Sequence, residues 1–310
     1  MTPIALCIVS YRDPALIARC LDAVGRSSFT DFEVVLCENG GDAARAQLAH
    51  SLPAELPGGQ PVTLLDQSAN LGYAGGLNAC IAARPHAAAW WVLNPDAVPE
   101  PAALQALVDR LARGDCDAVG GTLYHPNGRI QALGGRWNPW LARAESIGIG
   151  TALDAPVDSR RVEARTNYLL GACMLIGPRF LATAGPMRDD YFLYAEEIEW
   201  CLRAHSRGMR LGFAPGARIC HGQGGTTGSA ARIHQRPRLP IYLDERNKLH
   251  VVRDTAPARL LVAAPLAFLL AWARFGRRGA HAQWRTAMAG WWAGVRNQRG
   301  MPDWLAQVTN

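Results

Sequence analysis

Over the first 120 or so residues, short runs of consecutive apolar residues alternate with stretches in which apolar positions recur every three or four. The runs at 4–9, 32–38, 61–66, 90–93 and 118–120 are continuous rather than alternating, as expected of strands covered on both faces. Leu16, Ile17, Cys20, Leu21 and Val24 repeat at helical spacing after the first run, and Leu104, Leu107, Val108 and Leu111 do so before the fifth. This rhythm predicts βαβ units, hence an α/β fold with a mostly parallel, Rossmann-like central sheet flanked by helices.

From about 121 to 225 the pattern is more mixed. Gly120-Gly121, His125-Pro126-Asn127-Gly128 and Gly134-Gly135 punctuate short strands, 169–176 reads as a further buried strand, and 196–207 as a helix. Residues 148–165 are polar and irregular, the pattern of a loop, and Pro99 and Pro101 are placed to open a helix straight after Asp96. Beyond about 240 the chain is helical and rich in Arg, Trp and Ala. Its longest apolar run, residues 260–273, is 14 residues long and contains Pro265. A membrane span needs roughly 20, so a buried or interfacial helix is expected there.

At 310 residues, with 49% hydrophobic and 19% charged, the chain has ample length for a core and neither a disordered nor a fibrous composition. Its eight cysteines form no C-x-x-C pair, which favours buried thiols in a reducing cytoplasm over disulfides or a zinc site. The amino terminus has no basic segment followed by an apolar one, so no secretory signal is expected. Net charge is +6 and Lys248 is the one lysine. Eight arginines and two acids lie from residue 253 onward, so the excess belongs to the tail and the first 252 residues are neutral. That tail also holds five of the ten tryptophans, with Trp284, Met288, Trp291 and Val295 on one helical stripe. Residues 257–310 thus suit peripheral contact with an anionic membrane, or packing on the rest of the chain or on a second subunit. Nucleic acid is not an expected partner, because no known binding module accompanies the charge.

In an open α/β sheet, ligands sit beyond the carboxyl ends of the strands. Four successive strand ends here carry polar or glycine residues: Ser10-Tyr11-Arg12-Asp13, Glu38-Asn39-Gly40-Gly41, Asn70 to Asn78 with Gly72, Gly75 and Gly76, and Asn94-Pro95-Asp96. They suggest a nucleotide-sized crevice, although each alone is ordinary turn chemistry. The first strand lacks G-x-G-x-x-G and there is no P-loop, which argues against dinucleotide and kinase-like chemistry. Asp96 is placed to hold Mg²⁺ or Mn²⁺ against a diphosphate. Glu196, Glu197 and Glu199 open a helix, where acids also serve the helix dipole. The aromatic run before them would desolvate the carboxylates and favour a general base. His221 precedes a glycine-rich segment, 222–228, suited to closing over a substrate.

In this order the segments resemble family 2 glycosyltransferases with the GT-A fold, particularly bacterial rhamnosyltransferase-like members, from residue 4 to about 250. The resemblance rests on Asn70 to Asn78, Asn94-Pro95-Asp96, Tyr191 to Arg203 and Pro215 to His221, with a weaker match at Asn127 to Gln131 and Gly134-Gly135. It implies a GT-A domain over 1–250, with a nucleotide-binding half at about 1–120 and an acceptor-binding half at about 121–250, followed by a helical C-terminal extension over 251–310. Val9, Ser10, Tyr11, Glu38, Asn39, Asn70 and Asn94 would line the nucleotide pocket, with Gly72 and Gly76 permitting close backbone approach. Asp96 would bind the metal, Mg²⁺ or Mn²⁺, with His221 completing its shell, and Glu197 would be the base, Glu196 remaining an alternative. Three positions depart from the family pattern: Glu38 stands where aspartate is usual, Asn94 replaces the first aspartate of D-x-D, and Glu197 replaces an aspartate.

The implied reaction is inverting transfer of a sugar from a nucleotide-diphosphate donor to a glycan or lipid-linked acceptor in bacterial surface-polysaccharide synthesis, with dTDP-rhamnose as the expected donor. A UDP- or GDP-sugar enzyme of the same fold and an inactive GT-A-like assembly partner are the alternatives. The implied location is the cytoplasm, at the inner face of the inner membrane if the tail binds lipid, and a homo-oligomer is left open.

Overall fold

A computed structural model of the protein describes residues 2–67, 69–222 and 232–305. Eleven strands occur among these residues: β1 (Ile4–Ser10), β2 (Phe32–Glu38), β3 (Val62–Leu64), β4 (Trp90–Leu93), β5 (Ala97–Pro99), β6 (Ala118–Tyr124), β7 (Ile130–Ala132), β8 (Gly135–Asn138), β9 (Arg143–Ser146), β10 (Cys173–Ile176) and β11 (Leu211–His221). The α-helices are α1 (Pro14–Val24), α2 (Asp42–Ser51), α3 (Gly72–Ala82), α4 (Ala103–Leu111), α5 (Ser159–Arg165), α6 (Pro178–Ala184), α7 (Glu196–Ser206), α8 (Arg238–Thr255), α9 (Leu260–Arg274) and α10 (His281–Val295).

One large sheet runs in the order β3-β2-β1-β4-β10-β6-β11-β5, with β7 paired to β6, and β8–β9 form a separate hairpin. Strands β3, β2, β1 and β4 are mutually parallel, whereas β10 enters antiparallel between β4 and β6. Both faces of the sheet are covered, and strict alternation along the strands shows it. Ala5, Cys7 and Val9 of β1 with Trp90 and Val92 of β4 face one core cluster. Ile4, Leu6 and Ile8 with Trp91 and Leu93 face the other. The unbroken apolar runs of the sequence follow from this two-sided burial. Chain order reverses on either side of β1, so a crevice opens beyond the carboxyl ends of β1 and β4.

Three local expectations are corrected. Residues 97–99 do not lead directly into a helix; they form β5, antiparallel to β11 with His221 opposite Ala97, and α4 begins only at Ala103. The polar stretch 148–165 is not all loop, because Asp158 accepts a hydrogen bond from the Arg161 N–H and caps α5. The apolar run at 260–273 sits in a longer helical segment, since turns at both ends extend it to Pro257–Arg278. Within those 22 residues an 18-residue window has a mean hydropathy of 1.6, so the segment is long and apolar enough to cross a membrane by length and composition.

The carboxyl-terminal helices are joined to the main core. Leu249, Val251, Val252, Ala263 and Ala267 belong to the same buried cluster as the β1 and β4 residues above. Helix α8 runs across residue 250, and α10 crosses it closely at two glycines: a Cβ on Gly290 would come 2.3 Å from the Tyr242 carbonyl oxygen, and one on Gly294 2.8 Å from that of Arg246. The Trp284–Trp291 stripe is turned inward. Both rings pack edge-on against Phe268 of α9, and Trp291 Nε1–H donates to the Ala264 carbonyl at 2.8 Å.

Candidate active site

The ends of β1 and β2 lie side by side, with Ser10 in register with Glu38. The Glu38 carboxylate, 1% exposed, accepts the Ser10 hydroxyl and the backbone N–H groups of Arg12 (2.9 Å) and Gly40 (2.7 Å). It therefore shapes the turn from beneath, leaving Val9, Ser10, Tyr11 and Asn39 on the crevice wall. Asn39 in turn donates to the Gly72 carbonyl at 2.6 Å.

Much of the glycine-rich segment serves to tie α3 to the loop that precedes α7. Gly72 has φ +68, and a Cβ there would lie 2.2 Å from the Phe192 carbonyl oxygen; that oxygen accepts the Tyr73 N–H at 2.7 Å. Only glycine meets both the left-handed backbone and this approach. Asn70 accepts the Gly72 N–H at 3.0 Å, and Asn78 makes a reciprocal pair with the Met187 backbone. At Gly76 a Cβ would come 2.8 Å from Val9 and 3.1 Å from the Asn39 amide, so the close approach there is between α3 and the strand ends.

The β5–β11 register brings His221 beside Asp96. Asp96 Oδ1 and His221 Nε2 are 3.0 Å apart, Asn94 Nδ2 is 3.3 Å from the same ring nitrogen, and His221 Nδ1 lies 2.9 Å from Gln131 Oε1 on β7. Because an amide oxygen can only accept, Gln131 takes a hydrogen bond from Nδ1, which leaves Nε2 to face Asp96. A carboxylate oxygen facing that nitrogen is stable only with a proton or cation between them. An octahedral cation with bonds of about 2.1 Å has adjacent ligands about 3.0 Å apart, so the pair fits two corners of a Mg²⁺ or Mn²⁺ shell. Among the described residues no group of three or more His, Cys, Asp or Glu side chains is arranged to hold a metal ion by itself. The remaining corners would thus fall to diphosphate oxygens and water, the usual arrangement for such ions.

Across the crevice stands the acidic pair. Backbone φ is positive at Phe192 (67), Tyr194 (73) and Ala195 (67), three non-glycine residues in four positions. Such a segment persists only when its surroundings over-determine it. Here Asn247 of α8, fully buried, directs its amide at the carbonyls of Tyr191, Leu193 and Tyr194 at 3.0, 2.8 and 2.8 Å. Arg246 adds a bond to the Tyr191 carbonyl at 3.0 Å. The loop so held delivers Glu196 and Glu197 as the first residues of α7. Glu196 is 3% exposed and its Oε2 has no hydrogen-bond partner; burial, with the neighbouring Glu197 charge, pushes its carboxyl well above the usual range. Glu197 is more open. Burial raises it to about 7 against the pull of the backbone amides at the helix start.

These groups share one cavity of about 700 Å³. Val9, Ser10, Tyr11, Asn39, Asn70, Gly72, Asn94, Asp96, Glu196, Glu197 and His221 all line it, whereas Glu38 and Gly76 stand behind its wall. Tyr73, Gln131, Tyr168 and Gly171 also line it without having been singled out for themselves. Tyr73 donates to the Gly171 carbonyl at 2.8 Å, and burial, Glu196 and Glu197 hold its phenol protonated. Asn247 carried no signal in its own segment, since its partners lie more than 50 residues away. Of the glycine-rich segment 222–228 expected to close over the substrate, residues 223–228 lie outside the described residues.

A sheet of this order, with Asp96 and His221 beyond its strand ends and an acidic pair opening the helix across the crevice, is that of the GT-A glycosyltransferases. The chain belongs to the family "Glycosyltransferase like family 2", which it matches over residues 2–239. It is similar to the N-acetylglucosaminyl-diphospho-decaprenol L-rhamnosyltransferase of Mycobacterium tuberculosis, with 24% identity over 255 residues, covering 73% of this chain and 78% of that one. Among solved structures, Staphylococcus aureus TarS 1-349 in complex with UDP-GlcNAc superposes with a TM-score of 0.58 at 13% identity, over 95% of this chain and 82% of that one. The mannosyltransferase PcManGT of Pyrobaculum calidifontis, in complex with GDP-Man and Mn²⁺, gives 0.54 at 18% identity over 96% and 88%.

Proposed function

We propose that this glycosyltransferase moves L-rhamnose from dTDP-rhamnose, with inversion, onto a lipid-linked glycan during assembly of a bacterial surface polysaccharide. The observation that carries the chemistry is that Asp96 and His221 on one side, and Glu196 and Glu197 on the other, face a single cavity. The donor's diphosphate would meet the Asp96–His221 pair, with the nucleoside along Val9, Ser10, Tyr11 and Asn39. A Mg²⁺ or Mn²⁺ ion held by Asp96 and His221 would supply neutralisation of charge growing on the leaving diphosphate. Glu197 takes the proton from the acceptor hydroxyl as that oxygen attacks the anomeric carbon opposite the leaving group. Its carboxyl, raised to about 7, is matched to base catalysis at neutral pH. The acceptor end of the cavity is apolar, built from Phe192 and Leu193 with Pro237, Leu239 and Leu305 of the carboxyl-terminal region. The mycobacterial relative, whose name specifies an L-rhamnosyl group and a diphospho-decaprenol-linked acceptor, supports the choice of donor and acceptor.

Glu197→Gln should lower transfer by roughly 100-fold or more while dTDP affinity, measured by calorimetry with Mn²⁺, stays within about threefold. Full turnover by this variant would remove Glu197 from the mechanism. Asp96→Ala should weaken dTDP binding in Mn²⁺ by about tenfold or more, the loss of a charged ligand; unchanged affinity would count against its role. Tighter binding of UDP or GDP than of dTDP would refute the donor assignment.

A further inference from the structure

The described residues include nine exposed large hydrophobic side chains, and eight of them lie on or beside two neighbouring helices. Six belong to α9: Leu261, Val262, Phe268, Leu269, Leu270 and Trp272, with Leu261 86% exposed. Ala263, Ala267 and Ala271 of the same helix are buried, so α9 lies along the molecule on a small-residue face and turns its bulk outward. Trp292 on α10 is stacked on Trp291, which packs against Phe268. The eighth, Trp140, comes from the β8–β9 turn far away in sequence, yet the Arg259 guanidinium at the start of α9 lies 5.0 Å from its ring centre.

The rim of this face is cationic. Arg259, Arg277, Arg278, Arg285 and Arg296 form no ion pair among the described residues, and Arg296 lies over Trp292 at 4.8 Å. By contrast Asp254, one of the two acids beyond residue 252, is engaged by Arg188 and Arg299. An apolar, Trp-bearing ridge edged by unpaired arginines is complementary to a bilayer interface with anionic headgroups, where acyl chains receive the ridge and phosphates the arginines. We propose that the outer face of α9, with Trp292 and Trp140, docks the enzyme flat on an anionic lipid surface. Because the alanine face of α9 is packed on the protein, the helix lies in the interface rather than crossing the bilayer. This inference does not depend on the donor or on the catalytic roles.

The test is sedimentation of the full-length protein with vesicles of phosphatidylcholine containing about a third phosphatidylglycerol, against pure phosphatidylcholine. Binding should require the anionic lipid, be reversed by high salt, and fall by about tenfold or more in Leu261→Ser/Trp272→Ser. Trp140→Ser, outside the tail, should weaken it severalfold, and Arg277→Glu/Arg278→Glu should abolish the preference for anionic vesicles. All these positions are exposed, and unchanged Mn²⁺-dependent dTDP binding certifies that each variant is folded. Absence of wild-type binding, or equal binding by the variants, would overturn the proposal. So would a dimer in solution that Leu261→Ser/Trp272→Ser dissociates, which would make the face a subunit contact, or resistance to alkaline extraction, which would make α9 a span.

Discussion

Glu196 and Glu197 are adjacent in sequence and both line the cavity but differ in surroundings: Glu196 is almost wholly buried with an unpartnered oxygen, and Glu197 is more exposed. Both carboxyls are raised above the ordinary glutamate value, so the native state holds protons that the unfolded chain has released. Their contribution to stability is therefore full below about pH 4.5 and is lost as pH rises, through about 7 for Glu197 and well above the ordinary glutamate value for Glu196. Glu196→Gln keeps the shape of the neutral acid. Its melting temperature should fall less than the wild type's between about pH 5 and 8, and parallel curves would show that the Glu196 carboxyl is not raised in the native state. Activity has the opposite sign. Because the base must be ionised, kcat should rise with pH through about 7 and then level off, a limb that Glu197→Gln removes.

The motifs could be located at the level of elements, but their mechanical purpose could not. Asn70 to Asn78 is recognisable as a site segment, yet several of its members face the 187–192 backbone rather than a ligand. The strained entry to α7 is held by Asn247, a residue on another helix. Asn247→Ala leaves the Leu193 and Tyr194 carbonyls without that donor, and left-handed residues of this kind cost about 1–3 kcal/mol each. The loop should relax and withdraw the acidic pair. We expect kcat to fall by about tenfold or more while dTDP affinity in Mn²⁺ is held, since Val9, Ser10, Tyr11 and Asn39, proposed to hold the nucleoside, lie on the other wall. A loss confined to melting temperature, with kcat intact, would reduce Asn247 to a purely structural part.

On the scale of the whole molecule, the basic tail packs against the main core. Its helices cover the core shared with β1 and β4, and Arg299 pairs with Asp190 just before the loop that leads into Glu196 and Glu197. Removing 257–310 would expose that core, so the lipid face is better probed by point substitutions. The tight α8–α10 crossing gives a direct measure of the coupling. Gly290→Ala must push the helices apart, a strain of about 1–3 kcal/mol, and should lower the single unfolding transition by several degrees. A separate low-temperature transition would show instead that the tail melts on its own.

Periodicity and turn chemistry determined the α/β class, most strands and the segments that line the site, because each depends on residues within one element or its flanking turn. The length of α9's helical segment, the helix at 159–165 and strand β5 escaped because capping and pairing partners override local preference there. The meeting of His221 with Asp96 is expected only through the family resemblance, and tertiary structure alone decided that Asn247 holds the acidic loop and that the inward Trp284–Trp291 stripe leaves α9 and Trp140 to form the exposed face. These are contacts between residues distant along the chain. They are set by strand register and by which helix faces the core buries, and no local window of sequence contains both partners.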